Sequence, residues 1–128
     1  MGMGQVTRIP LAWPVQTVTA AAGALTTDDG ETFGSIPGGL LHGAEKIGFF
    51  LNVSALSGSN TLDVFLDGSV DGVNFSSGGE VAKFSVTAAG TYFVAYNGSP
   101  VSLFRATFTQ SGASPSATLS LGVEASTQ

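Results

Sequence analysis

The residues able to do chemistry are few and scattered. His42 is the single histidine, the side chain best suited to acid–base work near neutral pH. It lies in a Leu41-His42-Gly43 stretch read as a loop, and no Gly-x-Ser-x-Gly nucleophile elbow accompanies it. Asp67, Ser69, Asp71, Gly72 and Asn74 follow the opening of a calcium loop. Such a loop wants Glu at its twelfth position, where this chain has Gly78. The alternative is a strand end carrying two Asp-Gly turns, leaving at most a weak cation contact through Asp67 and Asp71. Asp63 and Asp67 stand four apart on one expected strand, so both are expected to face solvent on the same side. Their separation is too wide for a retaining glycosidase pair. Neither Gly38-Gly39 nor Gly78-Gly79 is followed by the Lys-Ser/Thr of a phosphate loop. No catalytic residue, metal site or cofactor is expected from these patterns.

Composition narrows the classes further. The 128 residues carry 4 basic and 9 acidic side chains, a net charge of −5, and only 10% of residues are charged. An average domain has roughly 25%. Four basic residues cannot build the broad cationic face of a nucleic-acid binder. The 43% hydrophobic content and nine Phe argue against disorder. With no cysteine there is no disulfide, thiol nucleophile or cysteine-bound metal. Residues 1–9 lack the basic start and apolar run of a signal peptide. The apolar stretch 47–53 is too short to span a membrane. The protein is expected to work where it is made, and the three Asn-x-Ser sequons at Asn52, Asn74 and Asn97 read as chance matches.

The elements that carry these residues read as strands. Apolar residues alternate at Ile47, Phe49, Leu51 and Val53, then at Leu62, Val64 and Leu66. The alternation recurs at Ala82, Phe84 and Val86; at Tyr92, Val94 and Tyr96; at Phe104, Ala106 and Phe108; and at Ala117, Leu119, Leu121 and Val123. Period two with one apolar face is the signature of antiparallel sheets. Gly, Asn, Asp and Ser clusters separate the runs as turns. A further strand is expected over residues 15–22, and residues 23–44 read as loop. The fold class is all-β: an antiparallel two-sheet β-sandwich, jelly-roll-like, with an extended N-terminal arm. The expected core is Phe49, Leu51, Leu62, Val64, Leu66, Phe84, Val94, Phe104, Leu119 and Leu121. Phe50 breaks the polar side of its run and calls for a cover.

Residues 1–14 read as the arm and 15–128 as one sandwich domain. Pro10 and Pro14 disfavour helix and central strand. Ile9, Leu11 and Trp13 nevertheless alternate, and buried Trp and Arg side chains often anchor interfaces. Arg8, Ile9, Pro10, Leu11, Trp13 and Pro14 are therefore the candidate contact with another subunit. The alternative is that the arm folds back over its own sandwich.

The segment from Leu62 to Leu121 includes Leu62-Asp-Val-Phe-Leu-Asp-Gly-Ser-Val-Asp-Gly-Val-Asn-Phe75, Gly79-Glu-Val-Ala-Lys-Phe-Ser-Val-Thr-Ala-Ala-Gly-Thr-Tyr92 and Leu103-Phe-Arg-Ala-Thr-Phe-Thr109. It resembles the head decoration, or cement, proteins of tailed bacteriophages. These strand-and-turn motifs cover about half the chain. The resemblance implies a non-enzymatic homotrimer on the outer capsid surface. It would be made in the host cytoplasm and would clamp neighbouring major capsid proteins. It implies no small-molecule substrate, nucleic acid or membrane partner. Similar strings recur in other virion parts, so a tail or baseplate protein is the first alternative. A carbohydrate-binding β-sandwich module is the second.

Overall fold

A computed structural model describes residues 6–8, 13–28, 30–35, 46–96 and 103–126. The strands are β1 (Val6–Arg8), β2 (Trp13–Val18), β3 (Ala22–Ala24), β4 (Phe33–Ser35), β5 (Lys46–Leu56), β6 (Leu62–Ser69), β7 (Ala82–Val86), β8 (Gly90–Tyr96), β9 (Leu103–Gln110) and β10 (Ala117–Ser126). No described residue is helical. They form two five-stranded antiparallel sheets. In the first the order is β1-β10-β5-β8, with β2 also on β10; in the second it is β3-β9-β6-β7, with β4 also on β9. The expected two-sheet sandwich is the fold observed.

The pairing is nested. β2 pairs with β10, β3 with β9, β5 with β8, and β6 with β7, all antiparallel. One long hairpin is thus rolled up so that successive rungs alternate between sheets, which is jelly-roll winding. β1 and β2 lie one after the other along the same margin of β10. Val6 stands opposite Ser126 and Trp13 opposite Leu121. The boundary expected between residues 14 and 15 falls inside β2, which begins at Trp13. The stretch read as loop supplies β3 and β4. Each has three residues, too short for a period to show.

The alternation sets the core. Phe49, Leu51, Leu62, Val64, Leu66, Phe84, Phe104, Leu119 and Leu121 are all buried. Val94 is only partly buried against them, because β8 is the last strand of its sheet. The Phe49 and Phe104 rings meet across the two sheets, edge to face, with centroids 5.5 Å apart. One end of the sandwich is closed by a buried amide pair. Asn60 Nδ2 donates to Gln110 Oε1 at 2.8 Å, while Gln110 Nε2 donates to the carbonyls of Val18 and Ala20 at 3.2 and 2.9 Å. These bonds tie the β5–β6 turn and the β2–β3 crossing to the end of β9.

Candidate functional site

The N-terminal segment was the first candidate. The Trp13 side chain is 0% exposed and belongs to the core of its own sandwich. Its Nε1 has no hydrogen-bond partner among the described residues, so the indole is held there by its bulk. The expectation that residues 8–14 reach another subunit therefore cannot rest on the indole, which its own chain encloses. Arg8 ends β1 opposite Glu124, and Pro14 is half-buried in β2. Ile9, Pro10 and Leu11 lie outside the described residues, as does His42.

The acidic residues build a loop. After β6 the chain folds back over the outer side of its own sheet through residues 70–81. Asp67 was expected to face solvent; it points away from the core, yet this return covers it to 2% exposure. Its Oδ1 accepts from the Ser76 hydroxyl at 3.1 Å and from the amides of Gly79 and Glu80 at 3.0 and 3.1 Å. Asp71 organises the tip. Its Oδ1 accepts from the amides of Val73 and Asn74, both at 2.8 Å, and from the Ser69 hydroxyl at 3.0 Å; Oδ2 accepts from Asn74 Nδ2 at 2.9 Å. Of the two Asp-Gly turns expected, only Asp71-Gly72 is one: Asp67 and Gly68 remain in β6, and the Asp67 carboxylate instead holds the returning segment 76–80. Asp63, on the same side of β6, has a buried Oδ1 with no hydrogen-bond partner among the described residues.

The Asn74 and Val73 amides, then the Asn74 and Ser69 side chains, hold the Asp71 carboxyl well below the usual carboxylate range. A folded-state value below the unfolded one gives stability that is present above the unfolded value. It is lost as pH falls through the folded value. An NMR titration is expected to show Asp71 still ionised below the ordinary range of an aspartate side chain. The Val73 and Asn74 amide shifts should hold through that range and move only in stronger acid. If Asp71 protonates within the ordinary aspartate range, this account of the turn fails.

The loop also gathers cations and rings on the outer side of the second sheet. The Arg105 guanidinium lies 4.8 Å from the centroid of Phe75, whose ring is 5.5 Å from that of Phe33. Lys83 Nζ lies 5.3 Å from the centroid of Phe65. Register explains the grouping: Arg105 stands between Asp67 on β6 and Phe33 on β4. The outer side of this sheet therefore carries two cation–ring pairs beside the carboxylates of Asp63 and Asp67. Sequence alternation marks only the polar side of each strand and does not show which loop covers it.

The first sheet presents the opposite character. Gly122, Phe50 and Phe93 form one row across β10, β5 and β8. The Phe50 ring lies on Gly122, in the space a Cβ would fill, and 6.2 Å from the Phe93 ring. Phe93 is 75% exposed. The neighbouring hydroxyls and amides bond among themselves, Thr17 with Thr118 at 2.8 Å and Thr91 to Asn52 at 3.0 Å. The cover anticipated for Phe50 is thus partly intramolecular, a glycine beneath and a ring beside. A methyl at position 122 must displace the Phe50 ring. Gly122→Ala is expected to cost about 1 kcal/mol, the low end of overpacking because the ring can swing outward. Urea denaturation checks it, and an unchanged midpoint would mean the ring does not rest on this glycine.

The winding has a counterpart among solved proteins. The chain is similar in fold to XepA. The crystal structure of this exported PBSX protein superposes with a TM-score of 0.55 at 12% identity, over 95% of this chain and 37% of that one. The chain therefore spans little more than a third of XepA's length. The similarity is one of fold. Weaker matches are a pilus protein of Bacillus endospore appendages and the xylan-binding module CBM86 of Roseburia intestinalis. The first has TM-score 0.46 and 12% identity, over 97% of this chain and 90% of that one. The second has TM-score 0.35 and 11% identity, over 97% and 96%. At those scores neither carries an argument. No protein-family model matches the chain, and no curated protein matches its sequence.

Proposed function

We propose that this chain is a non-enzymatic structural protein of a tailed-phage particle, seated on the outer capsid surface by contact with the major capsid protein. The observation that carries this reading is the fate of the residues resembling decoration proteins. Residues 62–121 supply β6 to β9 and half of β10, arranged with the rest in a closed jelly-roll sandwich. The likeness in fold to XepA supports a phage-related sandwich. The acidic net charge suits a surface that must stay soluble on a large particle. Arg8 and Pro14, on the margin of β10, are the part of the N-terminal segment offered to a neighbour.

Antibody raised against the purified chain is expected to label the heads of intact particles from the source strain in negative-stain micrographs. The free chain is expected to co-sediment with expanded capsids. Label confined to tails transfers the role to the tail or baseplate. Unlabelled particles together with binding on a glycan array overturn the structural reading in favour of a carbohydrate-binding module.

A further inference from the structure

The four margins of the two sheets are not protected alike. Bare strand edges invite pairing with other chains, and proteins guard them with short strands, proline, lysine or bulges. β1, β3 and β4 have three residues each. β2 contains Pro14. β7 has five residues and carries Lys83. β8 has none of these guards. Its seven residues, Gly-Thr-Tyr-Phe-Val-Ala-Tyr, hold no charge and no proline. Its register with β5 runs unbroken from Ile47↔Tyr96 to Val53↔Gly90. Among the described residues no strand pairs with its far side.

We propose that the free edge of β8 pairs with β8 of a second copy of this chain, antiparallel and centred on Phe93. Phe93 is the middle residue of the strand, so a two-fold axis beside it sets Phe93 against Phe93, Val94 against Tyr92 and Ala95 against Thr91. Both faces then match. On the inner side the partly buried Tyr92, Val94 and Tyr96 of each copy cover the open flank of the other. On the outer side the aromatic row doubles to Phe50, Phe93, Phe93 and Phe50, burying a ring that is 75% exposed in the single chain. This self-complementary register selects a second copy as the occupant, and charge permits it. Each copy carries −5 overall, yet β8 and the outward Phe50 and Asn52 beside it are uncharged, so two acidic molecules can meet here without opposing like charges. The two first sheets become one continuous sheet, a closed two-fold contact in which each surface is its own complement.

Sedimentation equilibrium of the full chain over a rising concentration series tests this. The mass is expected to climb from 12.9 kDa toward twice that value. Phe93→Lys, at an exposed position, should keep the wild-type β-sheet circular dichroism and stay at one chain mass. Val15→Lys, at a 70% exposed site on the far margin of the same sheet, should associate like the wild type. The chain has no cysteine, so Phe93→Cys gives a clean second reading. Directly opposed strand residues lie about 4.5–5.5 Å apart at Cα, within disulfide reach. Mild oxidation should yield a covalent dimer from Phe93→Cys and none from Val15→Cys. A wild type that remains at one chain mass throughout overturns the proposal. Association undiminished in Phe93→Lys, or a limiting mass of three chains, overturns it as well. None of these results bears on particle labelling, so this contact and the virion role fail separately.

Discussion

Replacing Trp13 with alanine is expected to lower the unfolding free energy by about 3–5 kcal/mol, the range for truncating a large buried aromatic. Total stabilities run to only about 5–15 kcal/mol, so the variant should sit near the unfolding threshold at room temperature. Trp13 is the largest of the fully buried side chains, and it opens β2 directly opposite Leu121 of β10. Its indole N–H makes no hydrogen bond among the described residues, so what the mutation removes is volume between strands remote in sequence. Urea denaturation measures the loss. Since Trp13 is the sole tryptophan, wild-type fluorescence reports this site alone and should be that of a buried indole. A Trp13→Ala midpoint equal to wild type would return the indole to the role of a docking group. For the same reason, deleting residues 1–14 should unfold the domain, because the cut removes β1 and the first residues of β2.

Asp67→Ala is expected to cost about 3 kcal/mol or more. Three donors converge on one carboxylate oxygen, the Ser76 hydroxyl and the amides of Gly79 and Glu80. A hydrogen bond to a charged group contributes about 1.5–3 kcal/mol, and a buried donor left without an acceptor adds its desolvation cost. The full sum overstates the effect, because residues 70–81 lie at the surface and water can replace part of what is lost. Asp67→Asn keeps an acceptor of the same size and should lose about half as much. Chemical denaturation gives the energies. Amide exchange at Gly79 and Glu80 gives the location, with protection falling in Asp67→Ala before the core strands open. If the two amides exchange at wild-type rates in Asp67→Ala, the carboxylate is not what holds the return of the loop.

The fold was legible where one face of a strand is dry and the other wet. Leu62, Val64 and Leu66, or Phe104, Ala106 and Phe108, show their burial by alternation alone, because a sheet with one solvated face sorts residues by parity. Parity fails at the ends and edges. Val94 alternates correctly but sits on an edge strand, so half of its cover is missing. β3 and β4 are too short to express a period, and they exist because β9 offers a margin to pair with. The burial of Asp67 was hidden for a different reason. It depends on Ser76, Gly79 and Glu80 returning after nine or more residues, and nothing local to Asp67 reports that. Phe75 over Arg105 and Phe50 on Gly122 are likewise products of tertiary register. Each pairs a ring with a residue whose own neighbourhood reads as ordinary strand.

The place of β10 also dictates when folding can happen. It is the last of the ten strands among the described residues, yet it lies between β1 or β2 on one side and β5 on the other. During synthesis β2 and β5 leave the ribosome with no partner between them, and they wait until almost the whole chain has followed. Contacts such as Trp13 with Leu121 or Val18 with Ala117 join the two ends of the polypeptide. That is a high contact order, which slows folding, and strand margins left unpaired in the interval are prone to aggregate. The second sheet and the β5–β8 pair can form earlier, so a ribosome-bound chain stalled before Ala117 should remain protease-sensitive at β2, which has no other partner among the described residues.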